Sequence, residues 1–427
     1  MQPRTIIAGG VLFLLAVFTL NLYPPHRYAQ LPPFNQSGKE SLVLADSLAH
    51  GQGFANPFAG MPTGPSAHLA PVFPALLAFI ISHSSSGPAA YFAMECCATL
   101  IVVCQICLLP LLARFLGLGF YSGVGASVLW LVAHVPREVV WEQSLAGVLI
   151  TVLAFPMYDA LRRPLPLPRL VLCAVLWGVT ILLCPVALLA LGAWMLALHF
   201  AGTQMLHNRL VLVLLPLLMI TPWMVRNYQT FHRFVFVRDN LGIELEVSNN
   251  SCASFSFELN RMSGCYAQHH PNENMDEVAQ VAALGEVAYN QQRQHVATEW
   301  IKDHPGDFAG LTAKRFAAFW MPSLLMPEQE AIRNLAFYSP LRDAIVTLAS
   351  LGTIAGLILL WKNNRGACTV SLVWLATFPL IYYVTQYNER ARIPVEWAIL
   401  LPACYAVGEL WKRLVPKAQT QPKALSS

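Results

Sequence analysis

The chain has 427 residues, of which 56% are hydrophobic and only 12% charged, with a mean hydropathy of +0.50. A soluble chain carries roughly twice that charge, so a soluble globular enzyme is excluded and an integral membrane protein is expected. The formal net charge of +4 is too small to argue for a nucleic-acid partner.

Residues 5–23 follow Arg4 and form an apolar run with no small-x-small cleavage site before Pro24. The run reads as an uncleaved anchor helix. Crossing the hydrocarbon core takes about 20 apolar residues. Further runs of that kind lie at 88–113, 118–135, 143–161, 169–184, 187–201, 209–224, 341–361, 367–386 and 393–411. Residues 71–82 are too short to cross comfortably, and Cys184-Pro185 breaks the chain between two adjacent short runs. The expected fold is an all-α polytopic membrane protein of about ten transmembrane helices. Its first outer loop carries interfacial helices, and a mainly helical outer loop domain follows later. Three regions result: 1–224 with the outer loop 24–87, an outer loop domain at 225–340, and 341–427 with a short cytoplasmic tail.

Orientation follows from the short loops, since cytoplasmic loops carry the excess of Lys and Arg. One set of loops holds Arg4, Arg114, Arg162, Arg163, Arg169, Arg209, Lys362, Arg365, Lys412, Arg413, Lys417 and Lys423. The other set holds Arg27, Lys39, Arg137, Arg390 and Arg392. Both termini are thus expected in the cytoplasm of a bacterial inner membrane, with 24–87 and 225–340 on the outer face.

The loop GKESLVLADSLAHGQGFANPFAGMPTGPSAHLAPVFPALLA, from Gly38 to Ala78, is long and rich in Pro and Gly. Loops of that length in compact proteins usually carry function. Within it Ser41–Ala49 can form an interfacial helix burying Leu42, Leu44, Ala45, Leu48 and Ala49. Glu40 then stands at the helix start, where a carboxylate is favoured by the helix dipole. That acid either caps the helix or serves as a general base at the membrane surface. Asp46 is the competing acid, on a different side of the helix. Gly51 and Gly53 read as a helix stop, and Pro65, Pro71 and Pro74 as a rigid loop re-entering the membrane. His68 in that loop either contacts substrate or packs.

The segment 225–340 holds 22 of the 50 charged residues, which marks it as the one soluble-looking piece. Val278, Val281, Ala282, Gly285, Ala288 and Tyr289 keep helical spacing, Pro305 interrupts, and a second helix runs through Phe308–Trp320. FVFVRDNLGIELEVSNN alternates in part and predicts a short strand or hairpin. Arg226 leaves its span beside Trp223 and Tyr228, an interfacial pairing that can also clamp a phosphate. Arg233 and Arg238 read as ordinary surface charges. Near the end, Arg390 and Arg392 in QYNERARIPVEW break the charge bias beside a hydrophobic run. Such groups have partners: a phosphate held bidentately, or Glu389, Glu396 and anionic headgroups.

Eight cysteines lie in apolar runs and behave as small hydrophobes. Cys252 and Cys265 fall in the polar segment and either pair as a disulfide, if it is extracytoplasmic, or stay free. No zinc spacing, phosphate-binding loop, Ser-His-Asp order or metalloprotease motif is present. His269-His270 with Glu273 lacks a third metal ligand at useful spacing, and Glu244 and Glu246 read as a solvated acidic pair. No metal and no cofactor is expected. Within the spans only Glu95 and Asp159 stand out as acids, which weighs against an ion-coupled transporter.

Taken together, ESLVLADSLAHGQGF, TGPSAHLAPVFPALLA, TPWMVRNYQTFHRFVFVRDNLGIELEVSNN, HPGDFAGLTAKRFAAFW and RARIPVEW resemble the C-type glycosyltransferases, in particular bacterial members of glycosyltransferase family 39. That group includes protein O-mannosyltransferases and the aminoarabinose lipid A transferase. The resemblance implies a many-helix fold with its active site at the outer membrane surface and a polyprenyl-phosphate sugar as donor. The acceptor is a lipid, a glycan or a protein, and membrane lipids surround the site. By position, Glu40 matches the acceptor-deprotonating carboxylate, and Arg390 and Arg392 match the basic residues that bind donor phosphate. Two departures stand out: Lys39 precedes Glu40 where the mannosyltransferases have an Asp-Glu pair, and Arg390-Ala-Arg392 replaces an Arg-Tyr-Arg-like run. The implied reaction inverts the anomeric carbon, with Glu40 as base and Arg390, Arg392 and Arg226 facing the leaving phosphate. His68 and Asp46 complete the expected substrate site. A flippase for a lipid-linked envelope intermediate and a non-catalytic envelope-assembly scaffold are the competing functions.

Overall fold

The computed structural model describes residues 25–133, 141–325 and 340–414. The expected first span at 5–23, the end of the span at 118–135, part of the segment 225–340 and the tail lie outside the described residues. What is described is helical, and among the described residues there is no strand, only two isolated bridges, Ala55 with Pro65 and Ser256 with Tyr387. This is an all-α architecture with the helices of a membrane protein. Six helices are long and apolar enough to cross a membrane: Gly87–Phe115 (α3), Glu142–Ala160 (α5), Leu206–Phe231 (α8), Pro340–Asn363 (α15), Arg365–Val384 and Glu389–Leu414. Val72–Ser82 (α2), Phe120–Ala133 (α4), Leu167–Leu183 (α6) and Ala187–Ala201 (α7) are apolar but shorter.

Helix limits follow the local chemistry. Ser86 caps α3 by accepting from the Ala89 N–H, with Pro88 in the first turn, where its missing N–H is no loss. Gly202, at φ +64°, ends α7 in the left-handed conformation that glycine adopts freely. The helices approach closely where one of them offers a glycine. A Cβ on Gly123 of α4 would run into the backbone of Pro110 in α3, and one on Gly356 of α15 into the Pro402 carbonyl. Small residues at such crossings let backbones pack in the absence of a hydrophobic drive between helices in lipid. In the core Trp177 stacks on Trp194 at 5.7 Å and on Trp374 at 5.4 Å.

The turns gather at two ends. At one end Asn364 donates to Leu116 O and to the Tyr158 hydroxyl, and Gln204 donates to Ala160 O and Arg163 O. The other end is built from residues 28–86, 223–325 and 385–396. There the two long loops share their cores. Phe58 of the first packs with Ile243, Val247, Tyr266, Val278, Val281 and Tyr289 of the second, and Ala67 with Val235 and Val287.

Two local expectations fail. The segment predicted as a strand or hairpin holds a helix, Leu241–Ser248 (α9). Ile243 and Val247, spaced i, i+4, bury against Phe58, and Gly242 lies so close to the Asn290 carbonyl that any side chain there would clash. Tertiary packing has overridden a weak alternation. The expected continuous helix through Val278 and Tyr289 is instead two, Met275–Leu284 (α12) and Glu286–Asp303 (α13), broken at Gly285 with φ +80°. The helix after Pro305 is Pro305–Trp320 (α14).

Candidate functional site

The site starts from the short helix Glu40–Ala49 (α1), whose first residue is the carboxylate that the sequence singles out. Ser41 to Ala45 are buried, and Leu42 and Ala45 pack with Phe73 and Leu77 of α2. This anchors the helix and leaves Glu40 at its free end. Three donors converge on the carboxylate. Asn272 Nδ2 donates to Oε1 at 2.7 Å, His68 Nε2 lies 3.1 Å from Oε2, and His270 Nε2 lies 3.5 Å from Oε1. The Asn272 backbone N–H donates to His270 Nδ1, which leaves that ring's proton on Nε2, facing Glu40.

The aromatic surroundings are specific. Tyr266 stacks on His270 at 4.5 Å, and Phe58 meets both imidazoles edge-on, at 5.0 Å from His68 and 6.2 Å from His270. Both histidines are buried. Burial alone would raise Glu40, but the His68 charge and hydrogen bond outweigh it, with help from His270 and Arg238, and hold the carboxyl well below its usual range. His68 is the mirror case: burial pulls it down, Glu40 more than offsets that, and the ring is raised. His270 is pushed down to about 4 by burial despite Glu40. Glu40 thus favours the charged form of His68, burial favours the neutral form of His270, and both flank a carboxyl held towards its ionised form.

Further charges surround this centre. Arg238 lies within electrostatic reach of Glu40, Glu142, Glu244 and His68, and its Nε is buried without a hydrogen-bond partner. Arg390 also reaches Glu142 electrostatically. Glu244 is raised by burial and by Glu40. Arg238, read from the sequence as a surface charge, thus belongs to the site. The signal was faint, because a single arginine between apolar residues looks the same on a surface or in a cleft.

The other expected residues stand as follows. His68 is brought directly onto Glu40. Asp46 is six residues along α1, beside His50 at 3.4 Å, away from the Glu40 carboxylate's partners. Arg226 donates to Ser66 O at 2.6 Å and Phe54 O at 2.8 Å and lies over the rings of Phe54 and Trp223. Its guanidinium ties down the first loop. Arg392 is 1% exposed; it grips Glu396 through two nitrogens at 2.9 and 3.1 Å and donates to Phe319 O at 2.7 Å and Ser350 Oγ at 3.2 Å. Arg390 donates to Asn388 Oδ1 at 3.3 Å.

Cys252 and Cys265 are joined in a disulfide. With His269 they form the one cluster of metal-ligand type found among the described residues, but bonded sulfurs are not thiolate ligands. His269, His270 and Glu273 have separate partners, respectively Glu246, Glu40 and Arg261, so they are not a metal set. Glu246, expected in solvent, is buried. Glu142, Asp343, Glu389, Glu396 and Glu409 also lie on span helices, adding to the acids Glu95 and Asp159; Glu142, Asp343 and Glu389 stand in the first turn of theirs.

Compared with protein-family models and with curated proteins, the chain matches none.

Proposed function

We propose that the protein is a membrane glycosyltransferase that moves a sugar from a polyprenyl-phosphate donor to a lipid, glycan or protein acceptor. The single observation that carries this reading is the Glu40 carboxylate. It is kept ionised and aimed by Asn272, His68 and His270, with the Arg238 charge within electrostatic reach. A general base needs to be ionised and oriented at the working pH; the low pKa keeps Glu40 ionised, at the cost of basic strength, and its three neighbours orient it. Basic loop residues Arg162, Arg163 and Arg209 belong to the end opposite Glu40, next to the turns held by Gln204 and Asn364. By the charge rule that end is cytoplasmic and the site is on the outer face of an inner membrane.

In the proposed reaction the acceptor O–H or N–H gives its proton to Glu40 as the acceptor atom bonds to the anomeric carbon. The anomeric C–O bond breaks from the opposite side, its electron pair goes to the phosphate, and the configuration inverts. A phosphate leaves well, so the protein's task is to place positive charge beside it. Arg238 takes that role, since the donors of Arg226 and Arg392 are committed within the protein.

The test is transfer of labelled sugar from a panel of polyprenyl-phosphate sugars in proteoliposomes. Wild type is expected to form product, Glu40→Gln none, and Arg238→Gln product with a raised donor KM. Lipid translocation without glycoside formation would move the flippase reading ahead; full activity in Glu40→Gln would overturn the assigned base.

A further inference from the structure

A second carboxylate stands behind His68. The segment Ser66-Ala67-His68 is clamped on both sides: the Ala67 N–H donates to Glu286 Oε1 at 2.6 Å, and Ala67 O accepts from the Asp239 N–H at 2.7 Å. Ser66 adds a hydrogen bond from the His68 N–H at 2.9 Å, and Arg226 holds Ser66 O. Glu286 is the first residue of α13, directly after the break at Gly285, so its carboxylate also meets the helix N-terminus. It is 3% exposed, and its second oxygen is buried without a hydrogen-bond partner, as is His68 Nδ1.

The charged and titratable groups around His68 come from every neighbouring element. They are Glu40 of α1, Arg238 and Asp239 of the segment before α9, Glu244 of α9, His270 after Tyr266, and Glu286 of α13. Of these, Glu40 and Glu286 hold the histidine segment through their carboxylates, one at the ring and one at the preceding peptide, while Asp239 holds it through its backbone N–H. We propose that Glu286 is a positioning residue for Glu40 that acts through His68: it fixes the histidine's backbone and supports the ring's positive charge, so that Glu40 stays ionised and aimed. The inference rests on the reading of Glu40 as the base. It ties the base, through His68, to a second carboxylate that grips the peptide preceding the histidine from the second long loop. Burial raises Glu286 to about 7 against the opposing pull of His68 and its hydrogen bonds. Its charge is therefore present in full only above neutral pH.

Glu286→Gln is the discriminating change, because the amide oxygen still accepts from Ala67 N–H while the charge is gone. The full chain in lipid nanodiscs, with isotope-labelled histidine, is titrated by NMR; the His68 signal is identified by its loss in His68→Gln. The His68 midpoint is expected to fall by about one pH unit in Glu286→Gln and to stay in place in Glu286→Asp, which keeps the charge. An unchanged midpoint in Glu286→Gln, or an equal fall in both variants, overturns the proposal. Because the readout is a titration, it decides the matter whether or not the wild type transfers sugar.

Discussion

Replacing Arg392 by alanine should unfold much of the Glu40 end of the molecule without any direct effect on substrate. The guanidinium is 1% exposed and its partner Glu396 is fully buried. Removing the arginine takes the guanidinium from a buried carboxylate, which costs about 3–5 kcal/mol. It also strips the Phe319 carbonyl of its 2.7 Å donor, for about 1–3 kcal/mol more. Together these reach about 4–8 kcal/mol, comparable with the whole stability of many domains. The double change Arg392→Met, Glu396→Leu removes both charges and should recover the ion-pair part, since well-packed apolar pairs replace buried salt bridges at little or no loss. The assay is thermal unfolding of the detergent-solubilised protein, followed by size-exclusion fluorescence. Arg392→Ala should lower the midpoint sharply, and the double variant should sit well above it. A single variant as stable as wild type, or a double variant no better than the single, would refute this reasoning. Donor-lipid binding retained in the double variant would also separate Arg392 from the phosphate role expected from its position in the sequence.

Two further outcomes concern the site. Asn272→Ala removes the 2.7 Å bond to Glu40; a hydrogen bond to a charged group contributes about 1.5–3 kcal/mol, so kcat for sugar transfer should drop about tenfold or more with the fold intact. An unaltered kcat would show that Asn272 does not aim the base. The Glu40–His68 pair should also leave a pH signature in stability. Glu40 is depressed, so its contribution is complete above its ordinary value of 4.5 and is lost as pH falls through the folded value. His68 is raised, so its contribution is complete below 6.5 and is lost as pH rises through the folded value. The stability difference between wild type and His68→Gln should therefore be largest between pH 4.5 and 6.5. A flat difference across pH 4–9 would mean that the two groups do not form an ion pair.

The parts legible in the sequence were those set by local pattern. Apolar runs marked the helices, Glu40 marked the start of α1, and Pro305 marked the break before α14, which begins at Pro305 itself, three residues ahead of the expected Phe308. What escaped was set by contacts between distant segments. Gly242 and Ile243 read as part of a strand because nothing nearby shows that Asn290 and Phe58 will press on them. His68 looked like one loop histidine among several, since its partners Glu40 and Glu286 are 28 and 218 positions away by their numbers. Arg226 and Arg392 looked available for a ligand because sequence shows charge but not the carbonyls and carboxylates that claim it.

The joining of the two outer loops has a consequence for biogenesis. The bond from Asn272 to Glu40 spans 232 positions, and that from Ala67 to Glu286 spans 219. At about 5–20 residues per second of synthesis, the first loop waits on the order of ten seconds or more before its counterpart exists. Throughout that interval Phe58, Glu40 and His68 have no second loop to fold against. The cluster around Glu40 can form only after the second loop has been made, so an incompletely made chain carries Glu40 without Asn272 and His270. Pairings this distant are also slow to close, which makes joining of the two long loops, rather than formation of the helices, the step most open to assistance by a chaperone or disulfide catalyst.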